Sequence, residues 1–261
     1  MTKQYCFENV SLLITHYNRS SSLERLLLSF KEQQCVFGEV VVSDDGSKPE
    51  HQAKLKDLKN VYQFKLITSP QNKGLGNNIN KGQDAVTKPY TLYVQEDFTP
   101  ILGFAQHFQD ALQMMESNNE LDIVRFYAYF IYPYLVPYQK GFSKMVFSPW
   151  TINHLKFYYY SDHPHLRRSS FLTKFGRYPE GIKGDLTEYQ MAISFIKNKG
   201  KGLFYNDFTT LFDQNNSSAE PSTMNRSSWR QNKNVLMLTI RFFYLKIKLI
   251  KGHLDLLIAK R

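Results

Sequence analysis

Several structural classes are excluded by what this sequence lacks. Its 261 residues hold only two cysteines, Cys6 and Cys35, without metal-ligand spacing, so a disulfide framework is excluded and a reducing compartment fits. No internal repeat or low-complexity block interrupts it. The first ten residues, "MTKQYCFENV", lack the long apolar segment of a signal peptide, and a cytoplasmic chain is the expectation. Long hydrophobic runs are missing from the C-terminal tail too. Its longest stretch without a charged side chain is seven residues, Asn234 to Ile240, far short of the ~20 apolar residues that span a bilayer.

What is present reads as globular: 42% hydrophobic and 21% charged, long enough for one large core with a small appendage. Aromatics reach 15%, which hints at a surface that stacks on something flat. The net charge of +10 is uneven. From Arg226 onward there are nine Lys and Arg against one acid, Asp255, so that +8 of the excess sits in the tail. A nucleic-acid binder would spread basic residues over a folded face, and none is expected as a partner.

Periodicity divides the chain further. "VSLLIT", "EVVVS", "FKLIT" and "YTLYVQ" read as strands, alternating with helices at "SSSLERLLLSFKEQQ", "HQAKLKDLK", "GLGNNINKGQDAV" and "GFAQHFQDALQMMES". Ser21 and Glu24 have capping-box spacing. Strand–helix alternation argues for a mostly parallel, Rossmann-type α/β sheet flanked by helices. Beyond about residue 127 the pattern degrades into Tyr- and Pro-rich sequence, and a helix resumes at "LTEYQMAISFIKNKG". "DQNNSSAEPSTMNRSS" reads as loop by composition. Three divisions are expected: residues 1–98 binding a nucleotide, residues 99–225 binding an acceptor within the same core, and residues 226–261 as a basic amphipathic helical tail. At 100° per residue, Arg241, Lys248, Lys251 and Asp255 share one tail face and Leu238, Phe242, Leu245 and Leu249 another. That pattern suits an anionic membrane interface; docking on the chain's own domain or on a second subunit is the alternative.

Three polar clusters close the strands: "THYN", "SDDGS" and "QEDF". In a parallel sheet their ends share one edge, where ligands of open α/β sheets bind. Carboxylates gathered there need a cation or a hydrogen-bonding ligand, and Mg²⁺ or Mn²⁺ carrying a phosphorylated ligand would supply both.

"SLLITHYNRSSSLERLLLS", "EVVVSDDGS", "NKGLGNNINKG" and "LYVQEDF" resemble, in order and spacing, the N-terminal blocks of family 2 glycosyltransferases with the GT-A fold. The resemblance spans roughly residues 8 to 100 and is fainter from 165 to 205. It implies a nucleotide-sugar donor, UDP-linked, a saccharide acceptor, an inverting reaction and a divalent metal, Mn²⁺ or Mg²⁺. It places Thr15 and Tyr17 at the nucleobase, Tyr17 by stacking, although a strand-end tyrosine also packs on a first helix. Asp45 falls where relatives accept the uracil N–H, while Asp44 stabilises the loop. Lys73 would face the pyrophosphate or solvent. Gln95 departs from the acidic consensus of "QED", leaving Asp97 for the metal and Glu96 for a ribose or a metal-bound water. In "GRYPEGIKGDLTEYQ", Gly176, Tyr178 and Glu180 match, Glu188 takes the catalytic-base position, and Asp185 is its rival. His163, His165, Arg167 and Arg168 are offered to a phosphate. Where relatives carry a metal-completing His, this chain has Asp213 and Gln214. A lipid-linked acceptor at the inner face of the plasma membrane, in assembly of a bacterial surface polysaccharide, would account for the tail. The alternative function is a non-catalytic nucleotide- or saccharide-binding member of the same fold.

Overall fold

In a computed structural model, residues 3–216, 220 and 235–259 are described. The first half alternates as expected: β1 (Tyr5–His16), α1 (Ser20–Glu32), β2 (Cys35–Asp44), α2 (Pro49–Tyr62), β3 (Lys65–Thr68), α3 (Leu75–Asp84) and β4 (Tyr90–Gln95). After a short β5 (Phe98–Pro100) and α4 (Phe104–Ser117) come β6 (Ile123–Arg125), β7 (Leu135–Gln139), β8 (Phe142–Met145) and a 3₁₀ turn (His154–Phe157). β9 (His165–Arg168), α5 (Phe171–Phe175), α6 (Gly184–Lys197), β10 (Gly202–Tyr205), β11 (Phe212–Gln214) and α7 (Val235–Ile258) complete the described elements.

The main sheet runs β3-β2-β1-β4-β9-β6-β10-β8-β7, and β11 pairs with β5 in a separate two-stranded sheet. β3, β2, β1 and β4 are mutually parallel, while β9 enters antiparallel between β4 and β6. Strand order therefore reverses beside β1, which makes the carboxyl ends of β1, β2 and β4 one crevice. The 1–98 and 99–225 spans expected from sequence contribute to this one sheet. Period-2 alternation divides β1 between two cores. Leu12 and Ile14 join Leu23, Leu26, Phe30 and Phe108 on one face, and Leu13 joins Ile79, Tyr93, Phe171 and Phe195 on the other. Each such side chain, fully buried, is worth about 1.5–3 kcal/mol.

Three expectations change. The capping box is not made: Glu24 pairs with Lys54 at 2.6 Å. The carboxylate of Glu220, arriving from far along the chain, instead accepts the Ser21 and Ser22 backbone N–H groups, each at 2.9 Å. The aromatic middle is divided: Tyr132, Phe157, Tyr159 and Tyr160 are buried, while Tyr129 is exposed and Tyr127, Phe130, Tyr134, Tyr138 and Tyr158 are half-buried. In the tail a helix does form, but its C-terminal half turns its polar face inward. Lys248 donates to Tyr158 Oη at 2.7 Å, and Tyr189 Oη donates to Asp255 at 2.6 Å. Those charged side chains find partners on the domain, and Leu249 packs against the second core. The exposed stripe is Ile240, Phe243, Ile247, Ile250, Leu254 and Leu257. The side chains of Leu238, Arg241 and Phe242, and the tail residues 226–234, lie outside the described residues.

Candidate active site

Two loops meet first at the strand edge. Gly46 has φ +69° and abuts the Gln71 backbone, so no side chain fits there. This packs "SDDGS" against the loop that opens α3. Asp44 accepts from His16 Nδ1 at 2.8 Å and Ser47 Oγ at 2.5 Å. Burial opposes its ionisation, but those bonds hold its carboxyl below the usual range. Asp44 is thus the loop-holding acid. Asp45 accepts the Lys73 and Gly74 backbone N–H groups at 2.9 and 2.8 Å. Burial still pushes its carboxyl up, with Lys81 pulling the other way. The Lys73 side chain is exposed. Thr15 is buried, its hydroxyl 3.0 Å from Tyr93 Oη, while Tyr17 stands half-exposed at the end of β1.

Beyond β4 the carboxylates form a first cluster. Glu96 is 8% exposed and accepts from the Tyr17 backbone N–H; burial and then Asp97 push it up to about 8. Arg19, 5% exposed, places Nη1 3.3 Å from Asp97 and 3.9 Å from Glu96. The chain near β11 covers this cluster. Gln214 Nε2 donates to Asp97 Oδ2 at 2.9 Å, its Oε1 accepts from Tyr129 Oη at 2.6 Å, and the Asn215 N–H donates to the Asp97 carbonyl at 2.8 Å. Asp213 lies exposed.

A second cluster adjoins the first. The Asp162 backbone N–H donates to Glu188 Oε1 at 3.2 Å, which sets the two acids side by side. Burial, then the Glu188 charge, raises Asp162 well above the ordinary carboxylate range. Arg125 is buried beside them, and its Nη1 donates to the Tyr158 carbonyl at 2.7 Å. Gln95 Nε2, 3.4 Å from the Asp162 carbonyl, ties the clusters together. The rival Asp185 is exposed at the start of α6, accepting its neighbour's N–H at 2.9 Å, as a helix-terminal acid does.

The phosphate contacts expected of the "HPHLRRS" segment are displaced by structural roles. Arg167 is fully buried on Gln83 and Tyr178. Arg168 donates to the carbonyls of Leu121, Met115 and Asn118, where α4 ends, and His165 is buried in β9. His163 packs edge-on against Tyr127 and Tyr129. Clefts of about 290 Å³ beside Cys6 and about 300 Å³ between α6 and α7 lie away from the strand edge.

The donor set does not fit a divalent cation as it stands. Such ions take about six oxygen ligands and rely on ionised carboxylates. Asp97 Oδ1 is buried and without a hydrogen-bond partner, but it is a single oxygen. Gln214 turns its N–H rather than its oxygen toward Asp97, and a guanidinium stands beside both acids. Among the described residues, no group of three His, Cys, Asp or Glu could hold a metal ion.

Sequence reasoning missed Arg19, Asp162, Arg125 and Glu220. Arg19 directly follows "THYN" and Asp162 ends the aromatic run "FYYYSD"; in both, an isolated charge next to an otherwise apolar or turn-forming block was the available signal.

Residues 11–176 match the family described as Glycosyl transferase family 2. The chain belongs to that family. Solved structures with the same fold include S. aureus TarS 1-349 in complex with UDP-GlcNAc, at 18% identity and TM-score 0.62, covering 84% of this chain and 62% of that one. TarS 1-349 in complex with UDP aligns at TM-score 0.56 and 18% identity, over 78% of this chain and 59% of that one. The mannosyltransferase PcManGT from Pyrobaculum calidifontis, in complex with GDP-Man and Mn²⁺, aligns at TM-score 0.53 and 11% identity, over 99% and 71%. The family 2 chain thus spans about three fifths of the length of the TarS 1-349 structures. No curated protein matches it by sequence. The mostly parallel sheet and flanking helices are those of GT-A glycosyltransferases.

Proposed function

We propose that this chain transfers a sugar from a UDP-linked donor to a hydroxyl of a saccharide acceptor, with inversion at the anomeric carbon. The observation that carries the reading is the carboxyl pair Asp162–Glu188, set on the same edge as the "SDDGS" and "QED" loops. A transferase of this kind needs a base opposite a diphosphate leaving group. Glu188 takes the acceptor proton as the acceptor oxygen attacks C1, and the Asp162 backbone N–H holds the Glu188 carboxylate in place. Tyr17 stacks on the base, Asp45 accepts its imide N–H beside the bonds it makes to the α3 loop, and Lys73 meets the phosphates. Glu96 faces the ribose. The UDP complexes of the TarS structures support the choice of nucleotide.

The acceptor is lipid-linked in this reading, in assembly of a bacterial surface polysaccharide. The exposed apolar stripe of α7, flanked by exposed Lys246 and Lys251, would rest on the anionic inner face of the plasma membrane. No helix among the described residues is long and apolar enough to cross a membrane. Calorimetry with UDP and GDP, followed by a donor panel assayed for nucleotide release with saccharide and lipid-carrier acceptors, tests the reading. Turnover with a UDP-sugar is expected. Tight nucleotide binding with no turnover across the panel would favour the non-catalytic alternative.

A further inference from the structure

The first carboxylate cluster contains a cation of its own. Besides its approach to Asp97 and Glu96, Arg19 donates from Nη2 to Asn216 Oδ1 at 2.6 Å and to the Glu220 carbonyl at 3.0 Å. Glu220 is in turn fastened to the start of α1 through Ser21 and Ser22. The guanidinium is therefore held from two directions. Two polar atoms of this cluster are buried yet lack a hydrogen-bond partner: Arg19 Nε and Asp97 Oδ1. A buried donor and a buried acceptor left unspent together mark a place where a ligand supplies the missing bonds.

The charge balance agrees with that assignment. Arg19 Nη1 stands 3.3 Å from Asp97 and 3.9 Å from Glu96, so a guanidinium already occupies the approach to both acids. A divalent ion added there would be repelled by Arg19. An incoming diphosphate meets the opposite situation, a preorganised guanidinium with its Nε–H still unspent.

We infer that Arg19 takes the part a divalent cation would otherwise play, its Nε–H edge binding the diphosphate of the donor while Asp97 Oδ1 accepts a donor hydroxyl. This rests on the transferase reading. During transfer the bond from C1 to the diphosphate oxygen breaks and its electron pair stays on that oxygen. The new bond forms to the acceptor oxygen, whose proton passes to Glu188. Arg19 offsets the negative charge gained by the leaving diphosphate.

The test is calorimetry on the full chain with UDP and with uridine, each in EDTA and in Mn²⁺. UDP affinity in EDTA should stay within about threefold of that in Mn²⁺, since the protein cation is always present. Arg19→Gln should weaken UDP by about tenfold or more and leave uridine nearly unchanged, because the ligand contact that is lost is to the phosphate. Arg19→Lys, which keeps the charge without the fork, should recover part of the loss. If Arg19→Gln does not fold, the metal titration of the parent and the Lys variant still decide. A parent whose UDP affinity rises about tenfold or more on adding Mn²⁺, or a folded Arg19→Gln that binds UDP like the parent, overturns the inference and leaves the transferase reading intact. Absence of nucleotide binding in every condition removes both.

Discussion

Arg19 with Glu96 and Asp97, and Arg125 with Asp162 and Glu188, are two clusters of the same composition on one sheet edge. They dispose of their charge differently. Arg19 reaches a carboxylate at 3.3 Å, so its cluster keeps separated charges close together. Arg125 gives Nη1 to a backbone carbonyl at 2.7 Å, and burial draws its guanidinium down to about 10 despite the nearby Glu188 charge. The two acids beside it are neighbours, and burial, then the Glu188 charge, raises Asp162 above the ordinary carboxylate range. Identical residue types thus make one site suited to holding an anion and another suited to moving a proton. Which partner each arginine reaches is the difference.

Glu188→Gln should break the proton-moving cluster most severely. Nucleotide release should fall by roughly 10²–10⁴-fold, the usual worth of a general base, with UDP affinity by calorimetry unchanged. Asp185→Asn, at the exposed helix start, should stay near parent activity; the reverse ranking would move the base to Asp185. Asp162→Asn is the next largest test. Replacing this buried carboxyl leaves Glu188 without its neighbour, so nucleotide release should fall by roughly tenfold with UDP affinity near that of the parent. Release at the parent rate would show that Asp162 plays no part in the reaction.

Glu96→Gln is the smallest of the three and is read in stability. The folded carboxyl titrates near 8, above the 4.5 of an ordinary glutamate. In that window the folded state binds more protons than the unfolded one, so this group's contribution is complete below about 4.5 and is lost as pH rises toward 8. The parent Tm should therefore drop between pH 5 and 8 by roughly 5 °C more than that of Glu96→Gln. Equal slopes would mean that Arg19 keeps Glu96 ionised throughout.

Much of the donor side is legible in the amino-acid order alone. The valine run of β2 needs cover on both faces, and the acids after it open a Gly-containing turn, so their place at a strand end follows from local chemistry. Arg167 and Arg168 were misread because burial is invisible in sequence. Once folded, Arg167 is a core group satisfied by Gln83 and Tyr178, and half-buried Arg168 is satisfied by the carbonyls of Leu121 and Met115. The docked side of α7 was open between two readings for a related reason: Lys248 and Asp255 had partners waiting on the domain, and periodicity alone cannot show which side a helix docks.

The amino-acid sequence by itself determined the alternation of strands and helices, the parallel half of the sheet and the set of acids that end its strands, because these depend on neighbours within a few residues. Only the tertiary structure decided which acid keeps its proton, which arginine meets a carboxylate and that Glu220 reaches back to the first helix. Those outcomes are set by burial and through-space distance between residues as many as 201 positions apart, and no local pattern encodes them.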